Sequence, residues 1–268
     1  MSSAIGLGFA FVAYAISSFF ISRTIFSGDK ANYKAVFTAA MLGIVCQLFT
    51  VSNILFSDDQ LHLSLAAMSL LVNILIVSVL TIRSIKQANL MILLVTYVFS
   101  ALLSVGFLMF PSSSLSYGGV VTASSTALFI HVVLSMAAYC VLVISSLYAI
   151  QFRYIDAKLK SKTLSLNSHL PPLNVVEGQH FRLMAVGLTL LSMALIAGFA
   201  FLPDMFAKGY AHKTVLSMLA WVMFAVLTFG HKKYGWRGNK SVIVTVCASL
   251  ILTLAYFGSR FVKEFLLN

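Results

Sequence analysis

Six histidines, His62, His131, His169, His180, His212 and His231, are the residues of this 268-residue chain best suited to hold a metal or move a proton near neutral pH. His131 stands apart, because it falls inside the apolar run LFIHVVLSMAAYCVLVISSLYAI. An imidazole in hydrocarbon is costly and is a functional candidate by default. Ser135 follows at four residues, so at 100° per residue it shares the face of His131, with Tyr139 at the edge of that face. Near the end of the run two readings stand side by side: a ligand, or a polar ring that reaches interfacial water or bonds Ser or Tyr on a neighbour. His212 opens another apolar run, between Lys208 and Lys213 on one side and a long stretch of apolar residues on the other. Lys208, Lys213, Arg260 and Lys263 read either as side chains that anchor helix ends in the headgroup region, or as a cationic rim for an anionic ligand beside an imidazole.

The remaining polar groups carry less. Asp58, Asp59 and His62 have no second histidine at helical spacing, so a solvated acidic turn is expected there and no metal site. His169 and His180 fall in the connection 151–182 and are expected to be solvated loop residues. Cys46, Cys140 and Cys247 each stand alone in an apolar run with no CxxC or CxxCH, and read as small membrane-embedded thiols. All seven carboxylates lie in loops or at helix ends, and no nucleophile and base share a motif, so nothing marks an enzyme active site. The loop 111–127, rich in Ser and Gly, has no phosphate-binding glycine pattern.

The elements that must position these residues are membrane spans. With 60% hydrophobic and 9% charged residues, the chain is far more apolar than a soluble domain, in which about 25% of residues are charged. Eight runs, near 4–21, 35–56, 63–82, 90–110, 128–150, 183–202, 214–229 and 242–259, are long enough to cross roughly 30 Å of hydrocarbon as helices. The expected fold is therefore an all-α integral membrane protein of eight transmembrane helices, one polytopic domain over 1–268, with spans one to four in 1–110 and five to eight in 128–268. The first span has no basic residue before it and three after it, Arg23, Lys30 and Lys34, as expected of a retained span.

Of the 18 Lys and Arg residues, 14 fall in the connections after spans one, three, five and seven. The positive-inside rule then places those loops in the cytoplasm and both termini on the outer, periplasmic side. The formal charge of +11 reflects this loop pattern, and with the lipid bilayer as the partner of the basic runs, nucleic acid drops out. Gln47, Asn53 and Asn73, inside the second and third spans, each need a hydrogen-bonding partner that lipid does not offer.

Two stretches carry a family likeness. The order of Trp221, Phe224, Ala225, the GWRG of Gly235 to Gly238 and the AYFGS of Ala255 to Ser259, together with FIHVVLSMAAY at 129–139, resembles the cytochrome c assembly family, with its CcsA-like and HemX-like branches. The resemblance covers the chain from about Leu128 onward. It implies a polytopic inner-membrane protein of cytochrome c biogenesis that handles haem, and it matches His131 to the family's outer haem-ligating histidine. Where haem-handling members carry an outer tryptophan-rich motif, this chain has Tyr210, Ala211 and His212, and no histidine follows the last span. His231 approximates a family histidine at the inner end of the seventh span, displaced by about two residues, which turns a helical ring to nearly the opposite face.

The expectation is a b-type haem held at the outer face by His131 and His212, with Lys208, Lys213, Arg260 and Lys263 as counter-charges for its propionates and Tyr210 among the covering residues. The competing expectation is a cofactor-free scaffold or regulator, HemX-like, that contacts other proteins of cytochrome c biogenesis or haem metabolism through the basic connection 151–182. A transporter is disfavoured, because no Asp or Glu lies inside a span and no broken-helix pair repeats between the halves.

Overall fold

A computed structural model describes residues 2–27, 32–57, 60–61, 65–86, 89–109, 126–161, 170–201 and 211–258. Each expected apolar run forms one helix: α1 (Ser2–Ser27), α2 (Tyr33–Leu55), α3 (Leu65–Lys86), α4 (Leu90–Met109), α5 (Thr126–Lys160), α6 (Leu173–Phe201), α7 (Ala211–Tyr234) and α8 (Asn239–Thr253). All eight are long and apolar enough to cross a membrane, α8 together with the π-helical turn Leu254–Gly258 that extends it. A two-residue ribbon, Phe56–Ser57 paired antiparallel with Gln60–Leu61, follows α2.

Local chemistry sets the helix ends. Asn32 accepts the Ala35 N–H at the start of α2, and Asn89 does the same for Ile92 at the start of α4, so each satisfies an amide left without an intrahelical carbonyl. α5 runs 35 residues, about 52 Å at 1.5 Å per residue, well beyond the thickness of a hydrocarbon core. Its last turns carry Arg153, Tyr154, Lys158 and Lys160, and Lys160 bonds Asp156 at 2.8 Å.

The sixth helix departs from expectation. It begins at Leu173, ten residues before the apolar run expected at 183, because Pro171 and Pro172 precede a helix here instead of marking a turn within a loop. The fixed φ of proline suits the entry to a helix, and the Pro172 carbonyl accepts from both Val175 and Val176. Asn53 also differs. It is exposed two residues from the end of α2 and needs no partner inside the bundle.

By internal contacts the chain divides into two compact units, one of Met1–Thr122 with Ser165–Leu170 and one of Ala123–Leu164 with Pro171–Asn268. In the first, α1 packs on α2 and α4, α2 on α3, and α3 on α4, which closes a ring of four helices. Its centre is polar. Gln47, fully buried, accepts from the Tyr14 hydroxyl at 3.0 Å and from the Asn73 amide at 3.1 Å, and donates to Ser104 at 3.1 Å. Ser100 then donates to Asn73 at 2.9 Å, and Thr81 meets the Tyr97 hydroxyl at 2.9 Å. Gly43 lies under the Tyr14 ring, where a Cβ would stand 2.8 Å from it; the helices close on the aromatic because that residue has no side chain.

In the second unit α5 packs on α6 and α8, α6 on α7, and α7 on α8, again closing a ring. The Trp221 indole donates to Ser192 at 2.8 Å across α7 and α6, and Ser146 meets Ser249 across α5 and α8. Cys140 is buried, Cys46 half-buried and Cys247 exposed, all three as free thiols.

Candidate functional site

α5 and α7 begin, and α6 and α8 end, at one end of the second unit, so His131, Ala194, His212 and the π turn belong to that end. His131 is half-buried. Its Nδ1 lies 2.9 Å from the Ala194 carbonyl of α6, and its Nε2 lies 3.5 Å from Ser135 Oγ. A carbonyl oxygen only accepts, so Nδ1 carries a proton, and in the neutral ring Nε2 carries the lone pair. This is the arrangement found around metal-bound histidines, in which the far ring N–H donates to a carbonyl that fixes tautomer and ring orientation.

Behind the imidazole stands an aromatic and hydroxyl cluster. Tyr139, buried two turns along α5, stacks on Tyr256 with ring centres 5.2 Å apart and meets Phe257 edge-on at 5.6 Å. Its hydroxyl lies 3.0 Å from Thr253, and Thr253 donates to the Ser249 carbonyl, so Tyr139 donates to Thr253. A π-helical turn is a local widening that is frequent at functional sites, and here it lets consecutive residues, Tyr256 and Phe257, both pack on one ring.

Of the expected site residues, His212 is exposed at the second position of α7 and Lys213 is half-buried beside it. Counting along α7 and α6 from the Trp221–Ser192 bond sets His212 level with the end of α6, about 10 Å further along the axis than the Ala194 level of His131. Lys208, Tyr210, Arg260 and Lys263 lie outside the described residues, as do Asp58, Asp59, His62 and His169.

The opposite end of the second unit holds a residue that the loop reading missed. His180 is 3% exposed, not solvated. Its Nδ1 lies 3.0 Å from Ser145 Oγ and 3.1 Å from the Ser145 carbonyl, while Thr245 approaches Nε2 at 3.5 Å. The missed signal was its spacing: Val176 and Met184, four residues either side, are both buried, so His180 continues a buried stripe of α6. Next to it Phe181 stacks flat on His231, with ring centres 3.4 Å apart.

His231 Nδ1 lies 3.0 Å from the Trp236 carbonyl, within the GWRG turn. That turn is built on its glycines. Gly235 at φ 65° ends α7 in the left-handed region with its N–H on the His231 carbonyl, and Gly238 at φ 82° precedes α8. Arg237 reaches Glu177 of α6 at 3.5 Å.

Eight apolar helices among the described residues, with a half-buried histidine among hydroxyls and aromatic rings, define a polytopic membrane protein with a candidate cofactor site. Residues 61–267 match the sequence model of the family described as Cytochrome C assembly protein, and the chain belongs to that family. It is 31% identical over 258 residues to the inner membrane protein YpjD of Escherichia coli (strain K12), across 95% of this chain and 96% of that protein. It is also 22% identical over 157 residues to the cytochrome c biogenesis protein CcsA of Mesostigma viride, across 50% of this chain and 52% of that one. An uncharacterized 28.8 kDa protein of Azospirillum brasilense is 30% identical over 144 residues, 52% of each chain. No solved structure matches. The wording of 129–139 and 211–261 also resembles the YpjD branch, and the chain is a multi-pass inner-membrane protein.

Proposed function

We propose that this chain handles haem in cytochrome c assembly by holding a b-type haem at the outer face of the membrane, with His131 as one axial ligand and His212 as the other. The observation that supports this most is the tautomer of His131. With Nδ1–H committed to the Ala194 carbonyl, Nε2 is the nitrogen whose lone pair the neutral ring would offer, the donor that haem iron takes from an imidazole. Among the described residues, a serine hydroxyl stands against that nitrogen at 3.5 Å, a weak contact that a ligand can displace.

Each residue has a distinct task. His131 on α5 and His212 on α7 stand about 10 Å apart along the bundle axis, and these two imidazoles would hold the iron. Lys208, Lys213 and Arg260 supply positive charge for propionates, and Tyr210 covers part of the macrocycle. The bound group would supply redox-active iron, whose properties follow from its axial ligands. The partners that this reading implies are haem itself and other proteins of cytochrome c biogenesis.

The test is a spectrum of the purified chain after expression with haem supplementation. A Soret band is expected, weakened or shifted by His131→Ala and by His212→Ala. No band, or a band unchanged when both histidines are replaced, contradicts the reading. Absence of a band would favour the cofactor-free scaffold, for which deletion within the basic 151–182 connection would abolish function while the double replacement of His131 and His212 left it intact.

A further inference from the structure

Where α7 ends in the GWRG turn, large aromatic rings and cations stand side by side. Phe229, Tyr234 and Trp236 are 59%, 63% and 47% exposed. A Cβ on Gly230 would overlap the Trp236 ring, so the indole lies directly on the backbone of α7 because that residue has no side chain. The Trp236 N–H reaches back to the Gly230 carbonyl at 3.3 Å, and Tyr234 stacks beside the indole with ring centres 6.2 Å apart. Lys233 sets its ammonium 5.5 Å from the ring centres of both Phe229 and Tyr234.

The cations of this turn are unevenly matched. Arg237 meets Glu177 at 3.5 Å, whereas Lys232, Lys233 and Lys240 are exposed and have no carboxylate at ion-pair distance among the described residues. The span of α7 is His212–Tyr234, so the turn that follows it falls where hydrocarbon gives way to headgroups. Aromatic rings settle at that depth, and lysine ammoniums reach from it toward phosphate. A phosphate ion from water would meet the lysines and leave the three rings in solvent, whereas a phospholipid covers rings and ammoniums together. We infer that the α7–α8 turn is a binding site for an anionic phospholipid, which packs on Phe229, Tyr234 and Trp236 and sets its headgroup against Lys232, Lys233 and Lys240. A zwitterionic headgroup fits less well, because its own ammonium would stand among the lysines. The site belongs to the turn itself and does not rest on the haem reading.

The chain has two tryptophans, so Trp221→Phe leaves Trp236 as the fluorophore to read. The full-length variant is reconstituted in mixtures of phosphatidylglycerol and phosphatidylcholine in which one lipid or the other carries brominated acyl chains, and quenching gives the relative occupancy of the two beside Trp236. A preference for phosphatidylglycerol of roughly fivefold is expected, the contribution of one lysine at a charged surface. Each of Lys232→Gln, Lys233→Gln and Lys240→Gln is expected to lower it, and the triple variant to bring it to about one. Trp236→Phe leaves Trp221, inside the span, as the control, with no preference expected. Native mass spectrometry of the wild-type chain and the triple lysine variant reads the same difference, as fewer bound phosphatidylglycerol molecules on the variant, without any change of tryptophan. Equal quenching by the two lipids, a preference that survives the triple variant, or one as large at Trp221 overturns the inference. Loss of the preference on adding inorganic phosphate at constant ionic strength would make this a site for a free anion and overturn the lipid assignment.

Discussion

The two four-helix units bury their polar side chains in different ways. In the first, Tyr14, Gln47, Asn73, Ser100 and Ser104 satisfy one another inside the ring, with amides that donate and accept at once and no ionisable group except the tyrosine hydroxyls. In the second, beside the Trp221–Ser192 and Ser146–Ser249 bonds, hydroxyls stand against two histidines, and among the described residues the second nitrogen of the His131 ring meets a serine at 3.5 Å. A closed amide network in a membrane fixes which helices pair. An imidazole with one committed nitrogen and one lightly held keeps a coordination position in reserve. The contrast teaches that buried polarity closes on itself in the first unit, whereas in the second it leaves one imidazole nitrogen lightly held.

That division can be broken by mutation. Gln47→Leu has the largest expected effect on stability, because three interhelical hydrogen bonds end on that amide. At roughly 0.6 kcal/mol each, the loss is about 2 kcal/mol, measurable by unfolding in mixed SDS micelles. The same variant should leave the Soret band of the haem-supplemented protein unaltered; a change there would show that the first unit does more than hold itself together.

Ser145→Ala is expected to cost about 1 kcal/mol in the same assay, since His180 keeps the Ser145 carbonyl as a partner when the hydroxyl is gone. A larger loss would make the His180 end as structurally critical as the amide network.

His131→Ala should be the mildest for stability, about 0.6 kcal/mol, because a half-buried ring gives up one carbonyl bond. A loss as large as that of Gln47→Leu would mark His131 as a structural residue and erase the contrast.

Much of this was legible in the sequence. Eight spans follow from eight apolar runs, since a helix is the only single-segment structure that satisfies its own backbone in lipid. The pairing of Gln47 and Asn73 was foreseeable as a need for partners, although not as a partnership with each other, because which helices face one another is a tertiary fact. The face shared by His131 and Ser135 was readable from spacing. Two elements of the site were not. The Ala194 carbonyl that sets the tautomer is a backbone atom that no residue type announces, and the π turn that delivers Tyr256 changes helical phase where the sequence reads as one continuous span. The proline pair hid the start of α6 and with it the burial of His180, for Pro before a helix and Pro within a loop look alike until the apolar spacing of Val176, His180 and Met184 is followed.

An absorption spectrum of the purified protein tests most directly whether His131 is an iron ligand. After haem supplementation, the wild-type chain is expected to show a low-spin b-type Soret band that His131→Ala reduces or shifts while the folded bundle persists. A wild-type protein that stays colourless, or a band that neither His131→Ala nor His212→Ala alters, would contradict it.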